Sequence, residues 1–164
     1  MNIQRIRGVA LIVQNSEGKI LILQEYETKP HLGKYGGMFS IPMETSNPKE
    51  SDYYAITRLI REELPGFNLL PENIIQSRLG IYRIVPHVWV TLYSIKTSAS
   101  YLPNSKNNEV GNYQWIDPKK ALNLWLRQGA WEMISNFIDG KREVLCRCCR
   151  TPQADNHDSQ SSSS

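Results

Sequence analysis

Apolar and polar positions along this 164-residue chain alternate between strand-length runs, polar loops and helical stretches. Residues 8–13 form an unbroken apolar run and read as a buried strand, with residues 19–24 as its partner. The link Asn15-Ser16-Glu17-Gly18 reads as a tight turn, because Asn and Gly tolerate left-handed backbone angles. Residues 25–37 are polar, include Pro30 and three glycines, and read as a loop. A short apolar piece follows at 39–42 and a second loop at 45–49. Residues 51–64 carry a helical period and stop at Pro65-Gly66. Residues 80–85 and 88–95 alternate and are rich in Val, Ile, Tyr and Trp, as strands are. A polar loop at 98–111 precedes a short strand at 113–116. Asp117-Pro118 reads as an N-cap with proline at the first helical position. The spacing predicts one helix from there towards Gln128 and a second from about Ala130 to Ile138. The order of strands, helix, strands, helices predicts a mixed α/β domain with helices packed on a sheet.

The helix at 51–64 holds an oddity. Stepping about 100° per residue from Ala55 puts Ile56, Ile60, Tyr53 and Leu64 between roughly 100° and 180°, the expected core stripe. Glu62 falls at about 340°, Leu59 at about 40° and Glu63 at about 80°, so a leucine lies between two carboxylates and Glu63 enters the apolar sector. A carboxylate beside a core is costly unless something charged meets it. Either an arginine or a hard cation such as Mg²⁺ would serve, and the helix alone leaves both open.

Composition narrows the class. Forty per cent of the residues are apolar, enough for one globular domain with a real core. The net charge of +3 is too mild to imply stable nucleic-acid binding or a membrane surface, and no apolar run is long enough to span a bilayer. The N-terminus lacks the pattern of a cleaved leader, so a cytoplasmic location is the expectation. The three cysteines, Cys146, Cys148 and Cys149, cluster near the end, where they form no disulfide framework. Lipidation there, beside Lys141, Arg142, Arg147 and Arg150, stays open. The domain is expected to occupy residues 1–140, and residues 141–164 to form a polar, disordered tail.

The segment GKYGGMFSIPMETSNPKESDYYAITRLIREELPGF resembles the signature box of the Nudix hydrolases, the MutT-like family. That box runs Gly, five residues, Glu, seven residues, then Arg-Glu-apolar-x-Glu-Glu-x-Gly-apolar. Glu50 stands eight positions before Arg58, and Ile60, Glu62 and Glu63 fall in register. Gly66 and Phe67 follow after a one-residue insertion. The opening strand GVALIV, the hairpin to KILIL and the late EVGNYQWIDPKKAL also match, so the resemblance spans roughly residues 5–138. Two positions depart from the box. Glu44 replaces its leading Gly, and Leu59 replaces the Glu after the Arg.

The resemblance implies a Nudix-type α/β/α sandwich on a mixed β-sheet. It implies a pyrophosphohydrolase that cleaves a small-molecule nucleoside diphosphate linked to another moiety, using Mg²⁺ or Mn²⁺. On that reading Glu62 and Glu63 hold the metal, and Glu50 pairs with Arg58 to orient the site. Glu44 supplies a backbone carbonyl, adds a carboxylate or blocks the site. Glu109, in the loop before the strand at 113–116, joins the metal ligands and does the base work that Leu59 cannot. The alternative is a catalytically impaired Nudix-fold domain that binds a nucleotide or protein partner, and it predicts a leucine-lined site. A homodimer remains open. His87, Tyr35, Phe39, Tyr82, Arg5 and Arg7 are further candidates for which packing or solvent roles are the simpler expectation.

Overall fold

The computed structural model describes residues 5–104, 108–141 and 143–144. β1 (Ile6–Gln14) and β2 (Ile20–Glu25) form the expected hairpin. Asn15 holds its turn, with Oδ1 accepting from the backbone N–H groups of Glu17 and Lys19 at 3.0 and 2.9 Å. Gly18 takes φ +81°, a left-handed value that costs glycine nothing. β3 (Phe39–Ser40) and β4 (Met43–Thr45) follow, then the helix α1 (Asp52–Glu63). Ser51 caps α1 through its side chain, which accepts from the Tyr54 N–H. A short helix α2 (Pro71–Ile75), which the apolar pattern did not mark, leads into β5 (Arg78–Val85), β6 (Val88–Lys96) and β7 (Val110–Ile116). Then come α3 (Pro118–Ala121), α4 (Ala130–Asp139) and β8 (Glu143–Val144).

The strands form one mixed sheet in the order β3-β2-β1-β6-β5-β8. β1 pairs in parallel with β6 and antiparallel with β2, while β4 also pairs with β1 and β7 with β2. β1 is buried on both faces, which explains its unbroken apolar run. Val9, Leu11 and Val13 meet α1 and α2 on one side, and Ala10 and Ile12 meet α3 and α4 on the other. This is the expected α/β/α sandwich on a mixed sheet.

Two expectations change. The helix after Asp117 does not run to Gln128. Asp117 caps it as predicted, accepting from the Lys119 N–H at 2.9 Å, but α3 ends at Ala121. Leu126 instead bridges to Phe39, and backbone bonds to Phe39 and Gly33 hold the segment that follows. The buried face of α1 is also rotated. Ala55, Ile56, Leu59 and Glu63 are inside, Ile60 is half-buried, and Tyr53 is exposed, donating its hydroxyl to Glu72. Ala55, Ile56 and Leu59 pack with Val9, Leu11 and Val13 of β1, so the stripe centres on Leu59 rather than on Ile60 and Tyr53. Glu143 and Val144 pair in parallel with Gly80 and Ile81 of β5. Cys146, Cys148 and Cys149 lie outside the described residues. No helix among the described residues is long and apolar enough to cross a membrane.

Candidate active site

Where the end of α1 meets β4 and the start of β1, a cavity of about 210 Å³ opens. Its acids are Glu44 from β4, Glu62 and Glu63 from α1, Glu25 from the end of β2 and Glu109 just before β7. Its cations are Arg7 from β1, Lys29 and Lys34 from the loop after β2, and Arg127 ahead of α4.

The approach of β4 to β1 places Glu44. Val9 pairs with Glu44 and Gly8 with Thr45. A Cβ on Gly8 would stand 2.8 Å from the Glu44 carbonyl oxygen, so only glycine lets β4 lie this close. Behind Glu44, Arg58 gathers the box. Its Nη1 and Nη2 reach Glu50 Oε2 and Oε1 at 2.7 and 3.1 Å, its Nε reaches Glu44 Oε1 at 3.3 Å, and Nη2 also donates to the Thr45 carbonyl at 2.6 Å. The planar guanidinium suits this role, because it binds one carboxylate with two nitrogens and still has donors left. Glu50 also accepts from the Asn47 N–H at 2.8 Å, and its own carbonyl accepts from Arg7 at 2.7 Å. Burial pushes the Glu50 carboxyl up, but the Asn47 N–H and Arg58 outweigh it and hold the group below its ordinary value.

Glu44 and Glu63 shift the opposite way. Burial, then a hydrogen bond and repulsion from Glu62, push Glu44 from 4.5 to about 7, against the pull of Arg58. Burial first, then the charges of Glu44 and Glu25, hold Glu63 well above the ordinary carboxylate range, although Arg127 and Lys34 oppose them. Glu63 is anchored through its backbone carbonyl, which accepts from the Tyr113 hydroxyl at 2.7 Å. Its side-chain Oε1 is buried with no hydrogen-bond partner. A buried carboxyl oxygen left unpaired is costly.

A hard cation would meet both conditions, by giving Glu63 Oε1 a partner and by relieving the contact between Glu44 and Glu62. The donors are all oxygens, which suits Mg²⁺ or Mn²⁺. Among the described residues no three acidic, histidine or cysteine side chains form a ready cage. Mg²⁺ needs none, because one or two carboxylates together with substrate phosphates and water complete its shell. The residues present therefore fit a divalent cation that is shared with a phosphorylated ligand.

The structure brings Glu44, Glu62, Glu63 and Glu109 to one cavity. Glu50 and Arg58 stand behind it, as a positioning pair. The Glu44 side chain faces the cavity and adds a carboxyl to it. Leu59 does not line the cavity. It is fully buried in the core beside Val9, Leu11 and Ile56, so the expectation of a leucine-lined site is corrected. The physical reason is the rotated stripe, which turns residue 59 towards the sheet. Arg7 lines the cavity, whereas His87 serves the β5–β6 turn with φ +72° and a carbonyl that accepts from Ile6. Tyr82 is buried against Asn136, and Tyr35 is exposed. The pattern missed Glu25, Lys34 and Arg127. The available signal was Glu25 itself, in step with the buried Leu21 and Leu23 of β2.

Fold and cavity together define a class: an α/β/α domain on a mixed sheet, with an acidic cavity at the end of its longest helix. Within that class the chain belongs to the Nudix family, since the NUDIX domain model matches residues 4–137. Solved structures agree on the fold. The NUDIX domain of Shewanella oneidensis NrtR, complexed with ADP ribose, has a TM-score of 0.66 at 14% identity, over 85% of this chain and 90% of that one. The MutT protein of Methanosarcina mazei Go1 has a TM-score of 0.64 at 18% identity, over 85% and 97%. The Francisella tularensis bifunctional NMN adenylyltransferase/ADP ribose pyrophosphatase, complexed with AMP and a Mn ion, has a TM-score of 0.63 at 16% identity, over 85% of this chain and 42% of that one. No curated protein matches the chain in sequence.

Proposed function

We propose that this protein is a divalent-cation-dependent hydrolase that cleaves the pyrophosphate of a nucleoside diphosphate linked to another moiety. The observation that carries the reading is the buried, unpartnered Oε1 of Glu63, in a cavity shared with three further box or loop carboxyls and with cationic side chains. Mg²⁺ or Mn²⁺ would be held by Glu62 and Glu63, with Glu109 and Glu44 close by. The chemistry such an ion supplies is neutralisation of a polyanionic diphosphate. Glu109 is the base: it takes a proton from a water whose oxygen attacks one phosphorus, while the bridging P–O bond breaks and the leaving phosphate keeps its electron pair. Arg58 and Glu50 act through Glu44, holding β4 and the end of α1 in register. Burial raises the carboxyls of Glu44 and Glu63, and a bound cation would favour their ionised forms.

The test is turnover of a panel of nucleoside diphosphate derivatives with Mg²⁺ or Mn²⁺, beside a Glu63→Gln control. ADP ribose comes first, because the NrtR domain binds it and the Francisella protein is named for cleaving it. Activity that disappears in the control supports the reading, and activity that persists sinks the role of Glu63. A second reading, a domain that binds such a ligand without cleaving it, is favoured by one observation: the box position at Leu59 is committed to the core. Calorimetric binding of ADP ribose with no turnover of it would select that reading.

A further inference from the structure

The cavity contains a second charged unit that the box does not account for. Glu25, Lys34 and Arg127 are 2%, 6% and 7% exposed and lie far apart in sequence. Glu25 Oε1 meets Lys34 Nζ at 3.3 Å, and Oε2 meets Arg127 Nη1 at 3.2 Å. Arg127 Nη2 donates to the Leu32 carbonyl at 3.1 Å. Arg127 Nε is buried and has no partner. Two cations meet one carboxylate directly in a place nearly closed to water, and the other buried acid they act on, Glu63, forms no ion pair with either. Buried donors not used up by their own ion pair are costly unless a ligand meets them.

The backbone holds the unit rigidly. Lys29 and Lys34 bridge across the loop, Gly33 takes a left-handed φ of +75°, and its carbonyl accepts from the Gln128 N–H at 3.1 Å. Arg127 N–H donates to the Phe39 carbonyl at 2.8 Å. Both cations line the same cavity as Glu62 and Glu63, and both act electrostatically on Glu63.

We infer that Lys34 and Arg127, held apart by Glu25, form a phosphoryl subsite. It takes the phosphoryl group of the ligand that the carboxylate-bound cation does not hold. The ligand class is a diphosphate, and here the inference rests on the proposed function. The unpaired Arg127 Nε and the spare donors of Lys34 Nζ are the groups that would meet the phosphoryl oxygens. Lys34 and Arg127 are thus ligand-binding residues, and Glu25 is a positioning residue that acts through them.

Equilibrium binding tests this without turnover. Inorganic pyrophosphate is titrated calorimetrically into the full chain, with Mn²⁺ and again with EDTA, and Mn²⁺ binding is measured separately. Lys34→Gln is expected to weaken pyrophosphate binding by about tenfold or more, a larger loss than any change it makes in Mn²⁺ affinity. Glu25→Gln removes the only carboxylate of the unit and is expected to tighten pyrophosphate binding, even as it lowers thermal stability. Arg127→Gln is expected to behave like Lys34→Gln, and the two other variants decide the matter if it does not fold. A purely structural triad would lose stability in all three variants, with pyrophosphate affinity unchanged or lower in Glu25→Gln. That result overturns the subsite, as does a parent that binds no pyrophosphate in either condition. Loss of pyrophosphate binding in Lys34→Gln under EDTA, with no Mn²⁺ binding by the parent, would keep the subsite and overturn the metal reading.

Discussion

Glu44 Oε1 lies 3.3 Å from Arg58 Nε, while the other two nitrogens of that guanidinium grip Glu50 and the Thr45 carbonyl. One arginine therefore ties β4, the loop before α1 and α1 itself into one frame, and Glu44 projects from that frame into the cavity. The position that departs from the family box is thereby given a partner inside it.

Arg58→Ala should lower unfolding free energy by about 2–3 kcal/mol, because several charge-assisted bonds go and Glu50 is left behind. Arg58→Lys should recover little, since an ammonium cannot fork across Glu50 while reaching Glu44. Urea unfolding of the two variants checks this. A lysine variant as stable as the parent would show that charge alone, not the planar fork, holds the frame.

The raised carboxyls predict an unusual pH response. Between 4.5 and about 7, Glu44 is protonated in the fold and ionised in the unfolded chain, so the folded state binds the extra proton. Its stabilising contribution is fully present below pH 4.5 and is lost as pH rises through about 7. Glu63 is shifted in the same direction, while Glu50, held below its ordinary value, acts only at lower pH. With EDTA, Tm should therefore fall across this window. Mg²⁺ or Mn²⁺, which prefers the ionised carboxyls, should flatten the decline. A Tm that rises from pH 5 to 7 without metal would contradict the carboxyl cluster.

Leu59→Glu restores the family box on paper but puts a carboxylate into a site with no exposure. It should cost about 3–5 kcal/mol and leave cation affinity no better. Leu59→Ala should cost about 2–5 kcal/mol through the cavity it leaves. Denaturant midpoints together with Mn²⁺ titration check both. Tighter Mn²⁺ binding by a folded Leu59→Glu protein would mean that residue 59 can turn towards the cavity after all.

Gly8→Ala would press a methyl against the Glu44 carbonyl at 2.8 Å. Backbone cannot yield as a flexible side chain can, so β4 must shift, at about 1–3 kcal/mol. Cation affinity should fall with stability, because Glu44 moves with its strand. Unchanged Mn²⁺ affinity in the variant would uncouple the β1–β4 approach from the site.

The elements that the sequence determined are those written by local rules. The Asn15–Gly18 turn, the Asp117 cap, the stop at Pro65-Gly66, the unbroken apolar run of β1 and the alternating runs of β5 and β6 needed only neighbouring residues to be legible. The family resemblance implied that Glu50 pairs with Arg58, and the two meet at 2.7 Å. Four residues forecast for the site, Glu44, Glu62, Glu63 and Glu109, reach one cavity.

Other features are set by contacts between distant segments. The rotation of α1 depends on how Ala55, Ile56 and Leu59 pack with β1, and it moves Leu59 from the site to the core while leaving Glu63 at the junction of the two. The early end of α3 depends on Leu126 finding Phe39. The triad joins Glu25 to Arg127 across more than half the chain. Helical period fixes which residues share a face, but not which way that face turns. Direction is settled by packing against the sheet, where the largest loss of exposed apolar area wins.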